Sequence, residues 1–192
     1  MIKLVENKKD VNAFIHYIED LYKENDTYVF PIFSALKKEF KKIVLEDKTY
    51  KAILSLKDNK IQGRLLFTLD YSKKQGKQIC FFSFFDAIND FAVVKELFNY
   101  MEEYMSINNI DYSEGTFSPY DADTRRGVLI SGFEIAPTIF TSYNFEYYGK
   151  LLERYGYSKA IDTVSLNADV NQKSKKRLNT ISKYFMRTHD VR

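Results

Sequence analysis

Ser113-Glu114-Gly115-Thr116-Phe117-Ser118-Pro119, then Arg126-Gly127-Val128-Leu129-Ile130-Ser131-Gly132-Phe133, then Tyr143-Asn144-Phe145-Glu146-Tyr147-Tyr148, and finally Arg154-Tyr155-Gly156-Tyr157-Ser158-Lys159-Ala160-Ile161-Asp162, are the runs that decide the fold. The first reads as a short strand stopped by proline, and the second as an apolar, turn-rich loop. In the third and fourth, Phe145, Tyr148, Leu151, Leu152 and Tyr155 recur at helical spacing. Asn144 is placed to cap that helix and Gly156 to end it with a left-handed residue. Lys159 to Leu166 is predicted as a closing strand, and the segment Tyr120 to Arg126 is too polar for a core. No nucleophile-base pair and no metal-ligand spacing occurs in these runs.

Upstream, Ile110 to Ser118 is the strand that follows a helix. That helix starts at an Asp90 cap and buries Val93, Val94, Leu97, Phe98, Met101, Tyr104 and Met105. Before it, Gln78 to Phe85 is apolar enough for a central strand covered on both faces. Strand, helix, strand implies a right-handed crossover between parallel neighbours. Tyr50 to Lys57 and Ile61 to Tyr71, joined at Asp58-Asn59-Lys60, read as an antiparallel hairpin. Ile2 to Glu6 is a short strand. Two amphipathic helices follow: one from an Asp10 cap through Val11, Phe14, Ile15, Ile18, Leu21 and Tyr22, the other from Pro31 through Phe33, Leu36, Phe40 and Ile43. The outcome is an α/β protein with a mixed sheet and helices on both faces.

With 192 residues, 45% of them hydrophobic and 16% aromatic, the chain can bury a substantial core rich in Phe and Tyr. No apolar run approaches 20 residues, which argues against a membrane-spanning helix. The first ten residues lack the apolar stretch of a signal peptide, so the expected compartment is the cytoplasm. Cys80 is the single cysteine, which excludes an internal disulfide and reads as an inert core thiol. The net charge of +3 is uneven, with +5 between Asn167 and Arg192 and −2 in the body. The body shows no basic stripe with interleaved aromatics, so nucleic acid is not the expected partner. Residues 1–166 are expected to form the main domain. Residues 167–192 read as a basic amphipathic helix or connector with Leu178, Ile181, Phe185 and Met186 on one stripe.

The order of elements is similar to that of the acyl-CoA N-acyltransferase fold, the GNAT superfamily. The runs quoted first resemble an uncharacterised bacterial GNAT-like family, often in tandem domains, with the pattern Gly-Leu-Leu-x-x-Gly-Phe, a proline-containing run, Asn-x-x-Tyr-Tyr and Gly-Phe-x-Lys-x-x-Asp. Here these stand as Gly127 to Phe133, Pro137, Asn144 to Tyr148 and Gly156 to Asp162. The run Phe81-Phe82-Ser83-Phe84-Phe85 resembles that family's strand before the crossover helix. Glu114-Gly115-Thr116 stands where the family carries Gly-Pro.

The resemblance implies acyl transfer from acetyl-CoA or another acyl-CoA to a small-molecule or peptide amine. It places the cofactor against Phe84, Phe85, Asp86, Ala87, Asn89 and Asn144. It makes Glu114 the base or amine orienter and Tyr147 or Tyr148 the acid that protonates the leaving thiolate. Arg125 and Arg126 would clamp a phosphate or carboxylate. The superfamily's glycine-rich diphosphate turn is replaced here by Asp86-Ala87-Ile88-Asn89-Asp90-Phe91, which has no glycine and two carboxylates. Hence a second expectation: a degenerate, non-catalytic GNAT-fold module for ligand binding or dimerisation. A third expectation is a relative of the aminoacyl-transferring branch with the basic tail as an RNA handle. The tail helix could also mediate a homodimer or pack on a second GNAT-like domain.

Overall fold

The computed structural model of this protein describes residues 1–121, 126–138, 141–165, 179–181 and 183–184, without the side chain of Tyr120. It divides into two compact units, Met1–Lys159 and Ala160–Arg192. The first unit holds β1 (Ile2–Leu4), α1 (Lys8–Leu21), α2 (Phe33–Phe40) with a π-helical continuation (Lys41–Glu46), β2 (Lys51–Lys57), β3 (Lys60–Ser72), β4 (Lys77–Ala87), α3 (Phe91–Ile107), β5 (Ser113–Gly115) and α4 (Tyr147–Tyr155). In the second unit, residues 179–181 and 183–184 are helical.

The sheet runs β1-β2-β3-β4-β5 in space, antiparallel except for the parallel β4–β5 pair. One face buries Leu65, Phe67, Phe82 and Phe85 against α3 and α4. The other buries Leu54, Leu66 and Phe84 against α1 and α2. The largest cluster centres on Phe98, whose ring lies 5.1 to 5.3 Å from those of Phe82, Phe85, Tyr155 and Tyr157. No described helix is long and apolar enough to cross a membrane.

Three sequence expectations are corrected. Helix α1 begins at Lys8 and is capped by Asn7, whose Oδ1 accepts from the amides of Lys9 and Asp10 at 2.9 and 3.0 Å. Asp10 lies inside the first turn, buried and ion-paired with Lys3 at 2.5 Å. The helix starts one turn earlier than the Asp10 reading supposed, so it is Asn7, of the same reach as Asp, that stands where its side-chain oxygen meets the second and third helical amides. Asn7→Ala is expected to destabilise the domain by about 1 kcal/mol in urea unfolding, and no change would remove that assignment. Secondly, Asn144 does not cap α4. Its buried amide holds the backbone of Leu129 instead, accepting from the N–H at 2.7 Å and donating to the carbonyl at 3.2 Å. Thirdly, residues 159–165 form no strand and are exposed, with Ile161 and Val164 among the most exposed apolar side chains.

Candidate functional site at the strand junction

Strand β4 carries a bulge. Arg64 pairs with Asp86 and Leu66 with Ser83, so Leu65 faces both Phe84 and Phe85, and Phe84 takes a left-handed φ of 47°. An extra residue reverses the alternation of side chains. Cys80 and Phe82 face α3 before the bulge, and Phe85 and Ala87 face it afterwards. Asp86 is therefore turned to the α1 face, directly across from Arg64. A second irregularity adds to this one. The β4–β5 ladder runs only from Cys80–Ser113 to Phe82–Gly115, and the last bond across it is from the Phe117 amide to the Phe82 carbonyl, 2.7 Å. Beyond that point β4 continues to Ala87 while the other chain departs, opening a narrow cleft of about 90 Å³.

The cleft floor is a buried polar network. The Nε and Nη2 of Arg64 both donate to one oxygen of Asp86, at 2.8 and 2.6 Å, two charge-assisted bonds converging on a single acceptor. Its Nη1 donates to the carbonyls of Phe14 and Ile15 in α1 at 2.8 and 3.4 Å. The other Asp86 oxygen accepts from the hydroxyls of Tyr22 at 3.0 Å and Tyr148 at 3.3 Å. Burial works against the Arg64 charge, but the Asp86 carboxylate and the neighbouring tyrosines outweigh it and hold the guanidinium above its ordinary pKa. Burial, then the Asp86 charge, pushes the phenols of Tyr22 and Tyr148 well above theirs.

This overturns one expectation about Asp86. It does not stand in the turn facing a diphosphate; it ends a strand, nine-tenths buried, and its charge is answered by Arg64. Phe84, Phe85, Asp86, Asn144 and Tyr148 do line the cleft together. Ala87 and Tyr147 sit at its end, where the two α4 tyrosines occupy both backbone groups of Ala87. The Ala87 amide donates to the Tyr148 hydroxyl at 3.0 Å, and the Tyr147 hydroxyl donates to the Ala87 carbonyl at 2.8 Å. The pair acts as a substitute for a strand neighbour. Glu114 lies half-buried on β5, in register with Phe81, and Asn89 is exposed in the β4–α3 turn; neither lines the cleft. Arg126 stacks over Phe117 at 5.5 Å, whereas Arg125 lies outside the described residues.

The residues at the start of α3 do not fit an acyl-CoA diphosphate. Such a group needs free backbone amides and no facing anion. Here the Ala92 amide donates to the Asp90 carboxylate at 2.9 Å, those of Val93 and Val94 to the Asp90 carbonyl, that of Asp90 to Ile88, and that of Ile88 to Gln62. The capping carboxylate holds the place an anion would take.

Sequence reading did not place Arg64 or Tyr28 at this site, and read Tyr22 only as part of the core-facing stripe of α1. Tyr28 stacks on Tyr22 at 3.8 Å and Tyr22 on Phe145 at 4.7 Å, which carries the network toward the surface. The available signal was Arg64 itself, an arginine at an inward position of β3 with Leu66 two residues on.

No family model matches the chain. Protein YghO of Escherichia coli strain K12 is 26% identical over 169 residues, covering 86% of this chain and 43% of that relative, so the chain spans less than half of the relative's length. Among solved structures, a predicted acetyltransferase of Clostridium acetobutylicum with acetyl-CoA superposes with a TM-score of 0.54 at 11% identity, over 87% of this chain and 96% of that one. An aminoglycoside acetyltransferase from an uncultured soil metagenomic sample, in complex with sisomicin, does so at 0.52 and 13%, over 89% and 96%. The mixed five-stranded sheet, the bulged β4 and its parting from β5, with these likenesses, show that the chain is built on the GNAT acyl-CoA N-acyltransferase fold.

Proposed function

We propose that this domain is a GNAT-fold ligand-binding module that does not hold acyl-CoA at the start of α3. The observation that carries this reading is the Asp90 cap, whose carboxylate takes the Ala92 amide and puts a negative charge at the start of α3, while the Asp90 carbonyl takes the amides of Val93 and Val94. The capping of Ala87 by Tyr147 and Tyr148 supports it, because the free edge of β4 at that point is already closed by the protein's own hydroxyls. The cleft that remains has the volume of a few waters or one functional group.

A second reading is acyl transfer from an acyl-CoA to an amine, favoured by the likeness to an acetyl-CoA complex and by the parted strands. In it, Glu114 orients or deprotonates the amine and Arg126 with Arg125 holds a carboxylate or phosphate. Tyr147 serves as the acid in preference to Tyr148, since a tyrosinate at Tyr148 would form against the buried Asp86.

Calorimetric titration with acetyl-CoA and a longer acyl-CoA, with desulfo-CoA as control, separates the two. The binding-module reading expects no saturable heat up to millimolar ligand. Saturable micromolar binding that Tyr147→Phe weakens would establish the second reading and overturn the first.

A further inference from the structure

We draw no further inference here: the strongest candidate, the apolar patch that Val29, Phe30 and Ile32 expose on the loop between α1 and α2, where Val29 also lines the strand-junction cleft, carries nothing because nothing in the structure shows what covers it.

Discussion

Arg64→Met should cost about 3–5 kcal/mol in denaturant unfolding, a large share of the total stability of an ordinary domain. The guanidinium is almost wholly buried and makes four hydrogen bonds, two to Asp86 and two to carbonyls of α1. Without it the Asp86 carboxylate stays in the interior with only the hydroxyls of Tyr22 and Tyr148. The cost comes mainly from that abandoned charge and less from the loss of the pair's own attraction. Asp86→Asn should cost a comparable amount by stranding the opposite charge. Arg64→Met together with Asp86→Leu should recover most of the loss, because no charge is then left and Tyr22 can still donate to Tyr148, 3.3 Å away. The double-mutant cycle in urea measures this. A single-variant cost under about 1 kcal/mol, or simple additivity, would mean the pair does not clamp α1, β3, β4 and α4 around the cleft.

That clamp marks the boundary of what sequence reading could reach. Helices α1 and α3 and the β2–β3 hairpin were legible because each is specified within a dozen residues: Val11, Phe14, Ile15 and Ile18 keep one helical stripe, and Asp58 and Asn59 take the positive φ their turn demands. The parallel β4–β5 pair was legible from the crossover helix between the strands. The bulge was not, since no turn residue announces it; it lets Phe82 pack against Phe98 on one face and Phe84, two residues on, against Phe40 on the other, where unbroken alternation would put both on the same face, and Phe84 takes the left-handed turn. Unbroken alternation would have put Asp86 on the α3 face, away from Arg64. Arg64 and Asp86 are 22 residues apart, and Tyr22 and Tyr148 lie 126 apart, distances at which local pattern carries no pairing information. The Asn144-to-Tyr148 run was read for a cap of α4, which the structure does not have there. Asn144 and Tyr148 act through the backbones of Leu129 and Ala87, and a cap at the start of α4 is not among their contacts.

The protein should unfold steeply in alkali, between about pH 10 and pH 12, for the same reason that its cleft is rigid. Burial first, and the Asp86 charge second, raises the phenols of Tyr17, Tyr22 and Tyr148 above their ordinary value, and burial raises that of Tyr157. A raised folded pKa gives stability that is fully present below the unfolded pKa and is withdrawn as pH climbs toward the folded one. Below about pH 10 both states keep the proton; above it the unfolded chain releases it and the folded chain cannot, at up to about 1.4 kcal/mol per pH unit for each group. Tyr22 and Tyr148 share a hydrogen bond and titrate as one coupled system when folded, but the unfolded chain releases both of their protons, so the four phenols together give a limiting slope of about 5 to 6 kcal/mol per pH unit. Cys80, pushed up to about 12 by burial, adds to the slope from the ordinary thiol range upward. Absorbance of tyrosinate and far-ultraviolet circular dichroism, followed together on raising the pH, test this. Part of the 15 tyrosines should titrate early and smoothly, and the rest should ionise in one cooperative step that coincides with loss of helix. Tyr148→Phe should move that step to higher pH relative to its own stability at neutral pH, since one proton fewer is released on unfolding. Smooth ionisation of every tyrosine near its ordinary value, with the helix signal intact, would show that solvent reaches the Asp86 network and that the cleft floor is open.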